Sequence, residues 1–301
     1  MNDLVKKIDL LKKEMDAVIL AHNYQVSEVQ LIADYLGDSL ELSKIAAKVK
    51  NPVIVFAGVK FMAETAKILS PEKTVLLPRL DAGCPMADMV TIEDLQILKK
   101  ENPNAKVVTY VNSTAEIKAE SDICCTSANA VNVVKNIDAK QVIFIPDKNL
   151  GAYVQSLVPE KEIILFEGYC YVHNRITKDE VLLTKEKYPD AKIIVHPEAP
   201  MEVVKTADEV LSTSGMLRFA KESKANQFIV ATEQGLLERM KRENPNKDFY
   251  PAFRPKICSN MKRTSLIDVY NALNEKKYEI EIGHEISKKA VLALNKMITY
   301  Q

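Results

Sequence analysis

QVIFIPDKNLGAYVQSLVPEKEIILFEGYC, residues 141–170, decides the architecture. An apolar, β-branched run (QVIFIPD, 141–147) leads into a segment of helical length that begins at Lys148. A second apolar run (EIILFEG, 162–168) follows, and Cys170 stands just past it. Short continuous apolar runs read as strands buried on both faces of a parallel sheet. A strand, a helix and a strand in succession form an α/β unit. The same pattern recurs on both sides at nearly constant distance. Lys60 lies 88 residues before Lys148 and Gln234 lies 86 after it; Cys84 and Cys258 flank Cys170 by 86 and 88. Asp34, Asp122 and Asp208 keep that spacing, and so do Ser39, Ser127 and Thr213. Nine strand-like runs therefore group in threes: 17–23, 52–58 and 74–78; 106–112, 141–147 and 162–168; 192–198, 227–233 and 248–253. Helix-like segments such as 26–50 and 177–188 lie between them.

The fold expected is α/β: three similar three-layer αβα units with parallel sheets, arranged around a rough three-fold axis. The boundaries expected are 1–103, 104–189 and 190–301, the last unit carrying a C-terminal helix; they fall near the turns at Asn102–Pro103–Asn104 and Pro189–Asp190. Residues 1–16 carry Leu4, Ile8, Leu11 and Met15 at helical spacing among charges, which predicts an amphipathic helix and no targeting signal. Ligands of α/β sheets bind outside the carboxyl ends of the strands. Three such ends would face one central cavity.

Composition narrows the function. Lys plus Arg and Asp plus Glu both number 41, so the formal charge is zero and a general nucleic-acid binder is disfavoured. No apolar run approaches a membrane span. Five cysteines, none paired at CxxC spacing, argue against a secreted disulfide framework and for an intracellular, cytoplasmic protein. GxGxxG and GxxxxGK[ST] are absent, so nucleotide binding lacks its usual support.

One cysteine alone is usually a small core residue. Three at equivalent strand ends (Cys84, Cys170, Cys258) make a soft site suited to an iron–sulfur cluster or zinc, one ligand short of closure. An open metal position is what a Lewis-acid catalyst needs. Cys124 and Cys125 are adjacent and read as core or helix-start residues. His22, Tyr110 and His196 follow strands, with proton-transfer or hydrogen-bonding chemistry open to each. His173 is near enough to Cys170 to support a metal site; His284 reads as surface. Asp38–Ser39, Thr126–Ser127 and Ser212–Thr213 precede helix-like runs, as helix caps or as anion-binding termini. Lys60 and Lys148 are either solvated charges or anion partners.

AHNYQ (21–25), GDS (37–39), FMAETAKIL (61–69), CPMA (84–87), YVNSTAE (110–116), TSANA (126–130), PDKNLG (146–151), HPE (196–198), STSGM (212–216) and CSNMK (258–262) occur in this order. In these motifs the chain resembles the quinolinate synthase family of NAD biosynthesis. The resemblance implies three α/β domains around a pseudo-three-fold axis and a [4Fe–4S] cluster on Cys84, Cys170 and Cys258, with one iron open to substrate. It implies a condensing and dehydrating, non-redox reaction of iminoaspartate with dihydroxyacetone phosphate, giving quinolinate, phosphate and water. It implies a functional link to the oxidase or dehydrogenase that supplies iminoaspartate, and neither nucleic acid nor membrane as partner. His22, Tyr24, Ser39, Tyr110, Asn112, Ser127, His196, Glu198 and Thr213 then look like cavity residues. Tyr24, His196, Glu198 and Tyr110 are the catalytic candidates among them. Tyr169 and Ser214 depart from the family's usual pattern. Other readings are a different iron–sulfur hydro-lyase acting on a small hydroxy acid, a metabolite-binding or redox-sensing module, and a structural zinc protein.

Overall fold

The computed structural model describes residues 2–300. Its first sheet contains β1 (Ala17–His22), β2 (Tyr35–Gly37), β3 (Val53–Ala57) and β4 (Thr74–Leu76). The second contains β5 (Lys106–Tyr110), β6 (Ile123–Cys125), β7 (Gln141–Ile145) and β8 (Glu162–Leu165). The third contains β9 (Lys192–Val195), β10 (Glu209–Val210), β11 (Gln227–Ala231) and β12 (Asp248–Pro251). All pairings within the sheets are parallel, and the strand order is the same in each: second, first, third, fourth. All nine expected strands are present.

Three short strands, β2, β6 and β10, go beyond the sequence reading. Segment 26–50 is therefore not one helix. It divides into α2 (Ser27–Ile32), β2 and α3 (Ser39–Lys48). Cys124 and Cys125 lie on β6, fully buried, so they are core residues of a strand and not a helix start. The aspartates of the repeat explain why each short strand stays in register. Asp34, Asp122 and Asp208 accept, each through a side-chain oxygen, the backbone N–H of Ile19, Val107 and Ile193 at 2.8 Å. Each also pairs with a lysine: Lys12, Lys106 and Lys192.

Helices cover both faces of every sheet. The first part of the chain carries α1 (Asn2–Glu14), then α2, α3, α4 (Lys60–Leu69) and α5 (Ile92–Glu101). The second carries α6 (Ala115–Ala119), α7 (Ala130–Asn136), α8 (Lys148–Leu157) and α9 (Lys178–Lys187). The third carries α10 (Met201–Val204), α11 (Thr213–Glu222), α12 (Gln234–Glu243), α13 (Leu266–Glu275) and α14 (His284–Thr299). Alternate residues of each central strand point opposite ways. Val18, Leu20, Val108, Phe144, Ile194 and Phe228 enter one core shared by all three sheets. Ile19, Val107 and Ile193 face separate outer cores. One shared core and three outer ones are the pseudo-three-fold layout. The last helices break it. The helix α13 packs on α1, and α14 packs on α6, β6 and α4, away from the third sheet.

Capping fixes where the helices begin. Asp38 caps α3 with a reciprocal box to Glu41, and Thr177 caps α9 in the same way with Glu180. Ser212 caps α11. In the second unit the helix starts later: α7 begins at Ala130, and Ser127 sits in the turn before it. Tethers across the strand ends also repeat. The amides of Lys60, Lys148 and Gln234 donate to the carbonyls of Ala82, Gly168 and Lys256 at 2.8 Å.

Candidate functional site

The carboxyl ends of the three sheets open on one cavity of about 730 Å³, mouth included, within the range of small-molecule sites. Its walls are built of rings of three equivalent positions. His22, Tyr110 and His196 stand at or just past the ends of β1, β5 and β9. Tyr24, Asn112 and Glu198 follow two residues later. Ser39, Ser127 and Thr213 form the hydroxyl ring, and Cys84, Cys170 and Cys258 the thiol ring. Every cavity and cysteine residue named from the family motifs lines this space, together with His173, Glu233 and an apolar set that includes Phe61, Met62 and Met261.

Glu198 is the charged centre. Its carboxylate accepts from the Tyr110 hydroxyl in a short hydrogen bond and from His173 Nδ1 at 2.6 Å. Burial alone would raise its pKa. The neighbouring imidazoles of His173 and His196, with the hydrogen bonds from His173 and Tyr110, outweigh that and hold it well below the usual carboxylate range. Tyr110 and Tyr24 are pushed the other way, above their ordinary value, by burial and by the charge of Glu198. Both phenols therefore keep their protons and act as donors. Tyr24 Oη lies 2.7 Å from Thr232 Oγ1 and 3.3 Å from His173 Nε2, and Thr232 Oγ1 is 2.8 Å from the same nitrogen. A continuous hydrogen-bonded line thus runs from Tyr24 through Thr232, His173 and Glu198 to Tyr110, joining all three units.

His22 and His196 are alike in state. Burial pushes each imidazole down to about 3, against the opposing charge of Glu198. The amide of Tyr24 donates to His22 Nδ1 at 3.2 Å, and that of Glu198 to His196 Nδ1 at 3.4 Å. The proton of each neutral ring is left on Nε2. His196 also stacks on His173, with ring centroids 4.6 Å apart.

The hydroxyl ring is less of an anion site than its sequence suggests. Asp38 already accepts the amides of Leu40 and Glu41 at the start of α3, and Ser212 accepts that of Gly215 in α11. What these termini offer the cavity is the side chains of Ser39 and Thr213; Thr213 Oγ1 is fixed by Asn23 at 2.8 Å. No lysine or arginine lines the cavity among the described residues. Asn112 Oδ1 is buried and has no hydrogen-bond partner among them. Ser214 ties α11 to α3 instead, accepting from the amide of Asp38 and donating to Glu41, and α11 begins at Thr213 regardless of it. Tyr169 lies outside the cavity lining, its ring under Lys148 Nζ at 5.6 Å.

The three ring cysteines are free thiols on one cavity, from three different units. Burial pushes Cys84 up to about 12, with a further rise from nearby Cys258, and raises Cys170 and Cys258 too. Among the described residues no lysine or arginine in the lining would activate them as nucleophiles. A soft metal centre drawing charge from all three satisfies this donor set, so the residues fit an iron–sulfur cluster. Among the described residues, Cys170, His173 and Glu198 alone have ligand atoms of the metal-binding kind within 4.8 Å of one another, but hydrogen bonds already tie them together. Elsewhere, His284 is exposed, Lys60 pairs with the buried Glu64 one helical turn on, and Lys148 pairs with the exposed Glu167.

Comparison with known proteins decides the family. A profile described as "Quinolinate synthetase A protein" matches residues 6–299. The chain belongs to this family. A quinolinate synthase of Alkaliphilus metalliredigens is 52% identical over 98% of both chains. One of Thermodesulfovibrio yellowstonii is 53% identical over 99% of this chain and 98% of its own. One of Clostridium kluyveri is 51% identical with the same coverage. Family membership at this identity carries quinolinate synthesis, a step in NAD biosynthesis, as the activity. Sequence reasoning missed Thr232, and it missed Asp147 and Glu233 beside the cysteines. The repeat held a signal for the last two, since they stand one position before Lys148 and Gln234.

Proposed function

We propose that this cavity condenses iminoaspartate with dihydroxyacetone phosphate to give quinolinate, phosphate and two waters, with a [4Fe–4S] cluster on Cys84, Cys170 and Cys258. The observation that carries the reading is the convergence of three thiols and the Tyr24–Thr232–His173–Glu198–Tyr110 line on one enclosed space. The cluster, held by three residues, would supply an open Lewis-acid position for the dehydration.

The chain's own residues do the rest. His22 and His196 donate from Nε2 to carboxylate oxygens of the substrates, and Ser39, Ser127 and Thr213 donate hydroxyl hydrogens to carboxylate or phosphate. Neutral donors suffice here because burial strengthens each bond. Asn112 Oδ1 accepts from the nitrogen or a hydroxyl of a substrate. Glu198 is a weak base while Tyr110 and His173 donate to it, and it takes a carbon-bound or nitrogen-bound proton as Tyr110 turns its own hydrogen bond to departing oxygen. Tyr110 and Tyr24, kept protonated, donate to departing oxygen, and the line through Thr232 and His173 returns protons to them. The apolar walls of Phe61, Met62 and Met261 limit water around the condensing carbons.

The test is anaerobic purification, iron and sulfide analysis, and assay of quinolinate from the two substrates. About four irons and four sulfides per chain with quinolinate formed are expected. A zinc-loaded protein without sulfide, or turnover that does not need dihydroxyacetone phosphate, would overturn the proposal. The same reading has the enzyme working in the cytoplasm alongside the oxidase or dehydrogenase that forms iminoaspartate. No described helix is long and apolar enough to cross a membrane.

A further inference from the structure

The three cysteine loops are tethered alike but held differently. In each unit the residue two places before the cysteine accepts an amide from the facing helix start: Ala82 from Lys60, Gly168 from Lys148, Lys256 from Gln234. The position just before that helix start is Val59, Asp147 and Glu233 in the three units. Asp147 and Glu233 are fully buried carboxylates. Asp147 Oδ1 accepts from Leu150 N at 2.9 Å while Oδ2 accepts from Cys170 N at 3.3 Å. Glu233 Oε2 accepts from Gly235 N at 2.6 Å while Oε1 accepts from Cys258 N at 3.1 Å. Each carboxylate therefore caps a helix with one oxygen and holds a cysteine amide with the other.

The first unit has no such acceptor, because Val59 is apolar. Pro85 follows Cys84 there and restricts the backbone of that cysteine directly. Cys170 and Cys258 are followed by Tyr171 and Ser259, which impose no such restriction. Glu233 also pairs with Lys262 at 3.0 Å, whose own amide returns to the Cys258 carbonyl. Asp147 has no cation at ion-pair distance among the described residues.

We propose that Asp147 and Glu233 are positioning residues for the metal group: by accepting the amides of Cys170 and Cys258 they fix the direction of those two thiolates. The proposal rests on the cofactor reading above. Two physical effects follow. An amide engaged by a side-chain oxygen is not free to donate to sulfur, which lowers the reduction potential of an iron–sulfur group. A held loop also keeps the ligand from drifting off, as outer partners do at other metal sites.

The experiment uses anaerobically purified holoprotein. It measures the rate of iron transfer to a ferrous chelator and the midpoint potential. Asp147→Asn and Glu233→Gln should each release iron ~10-fold faster or more than wild type and shift the potential to more positive values. Asp147→Ser separates the two roles: serine caps a helix well but is too short to reach the Cys170 amide, so this variant should fold and still release iron fast. Asp208→Asn, which loses a strand-holding carboxylate far from the cysteines, should leave both readings at wild-type values. Wild-type release rates and potential in Asp147→Ser and Glu233→Gln would overturn the proposal while leaving the cluster in place. A wild-type protein without iron would instead remove the cofactor reading and this inference with it.

Discussion

Glu198 shows what burial does at the scale of a residue. An isolated carboxylate in this cavity would take a proton; His173 and Tyr110 keep it charged. Glu198→Gln keeps the shape and removes the base. It should retain the metal and slow turnover by ~100-fold or more, read in a quinolinate assay on iron-replete protein. The neutral histidines lead to a pH effect. Held at about 3, His22 binds fewer protons than the ~6.5 histidine of the unfolded chain. Its contribution to stability is full above ~6.5 and is lost as the pH falls toward 3. A His22→Gln variant should therefore show a plot of urea stability against pH that is flatter by up to about 1.4 kcal/mol per pH unit between pH ~6 and ~4. Equal slopes in variant and wild type would show that the ring is protonated in the folded cavity. The cavity residues were legible because the repeat and the family motifs both mark them. Thr232 was not: it stands where the other units have Gly58 and Pro146, so neither side-chain chemistry nor equivalence points to it.

At the scale of elements, long apolar runs gave themselves away and short ones did not. The segments 17–23 and 141–147 are β-branched and continuous, so burial on both faces is written in them. The strands β2, β6 and β10 are three, three and two residues long, too short for any periodicity to register. Their places are set by the aspartates Asp34, Asp122 and Asp208, which the repeat picked out without revealing what they hold. Asp122→Ala leaves Val107 N without its side-chain acceptor at the rim of a buried strand. A loss of ~1–3 kcal/mol in urea unfolding is expected, with no change in iron content of the folded protein. A stability equal to wild type would mean that water replaces the carboxylate there.

At the scale of the molecule, the three-fold repeat does the work that a dedicated pocket domain does elsewhere. One shared core aligns three sheets, and their carboxyl ends bring residues far apart in sequence, such as Tyr24, Tyr110 and Glu198, within hydrogen-bonding reach of one line. The repeat spacing made this layout readable. The final helices were not readable from it, because α14 returns to α6 and β6 instead of closing the third sheet. That return is fixed by particular contacts, including Asn129 Nδ2 donating to the carbonyls of Met297 and Tyr300. The same geometry makes the three cysteines interdependent: each comes from a different unit, and none has a substitute in the lining.

Iron content and quinolinate formation in single serine variants of the five cysteines, all purified without oxygen, test that interdependence most directly. Cys84→Ser, Cys170→Ser and Cys258→Ser should each lose iron, colour and turnover together, while Cys124→Ser and Cys125→Ser, buried on β6, keep all three. Full iron and full turnover in any one of the first three would contradict the account.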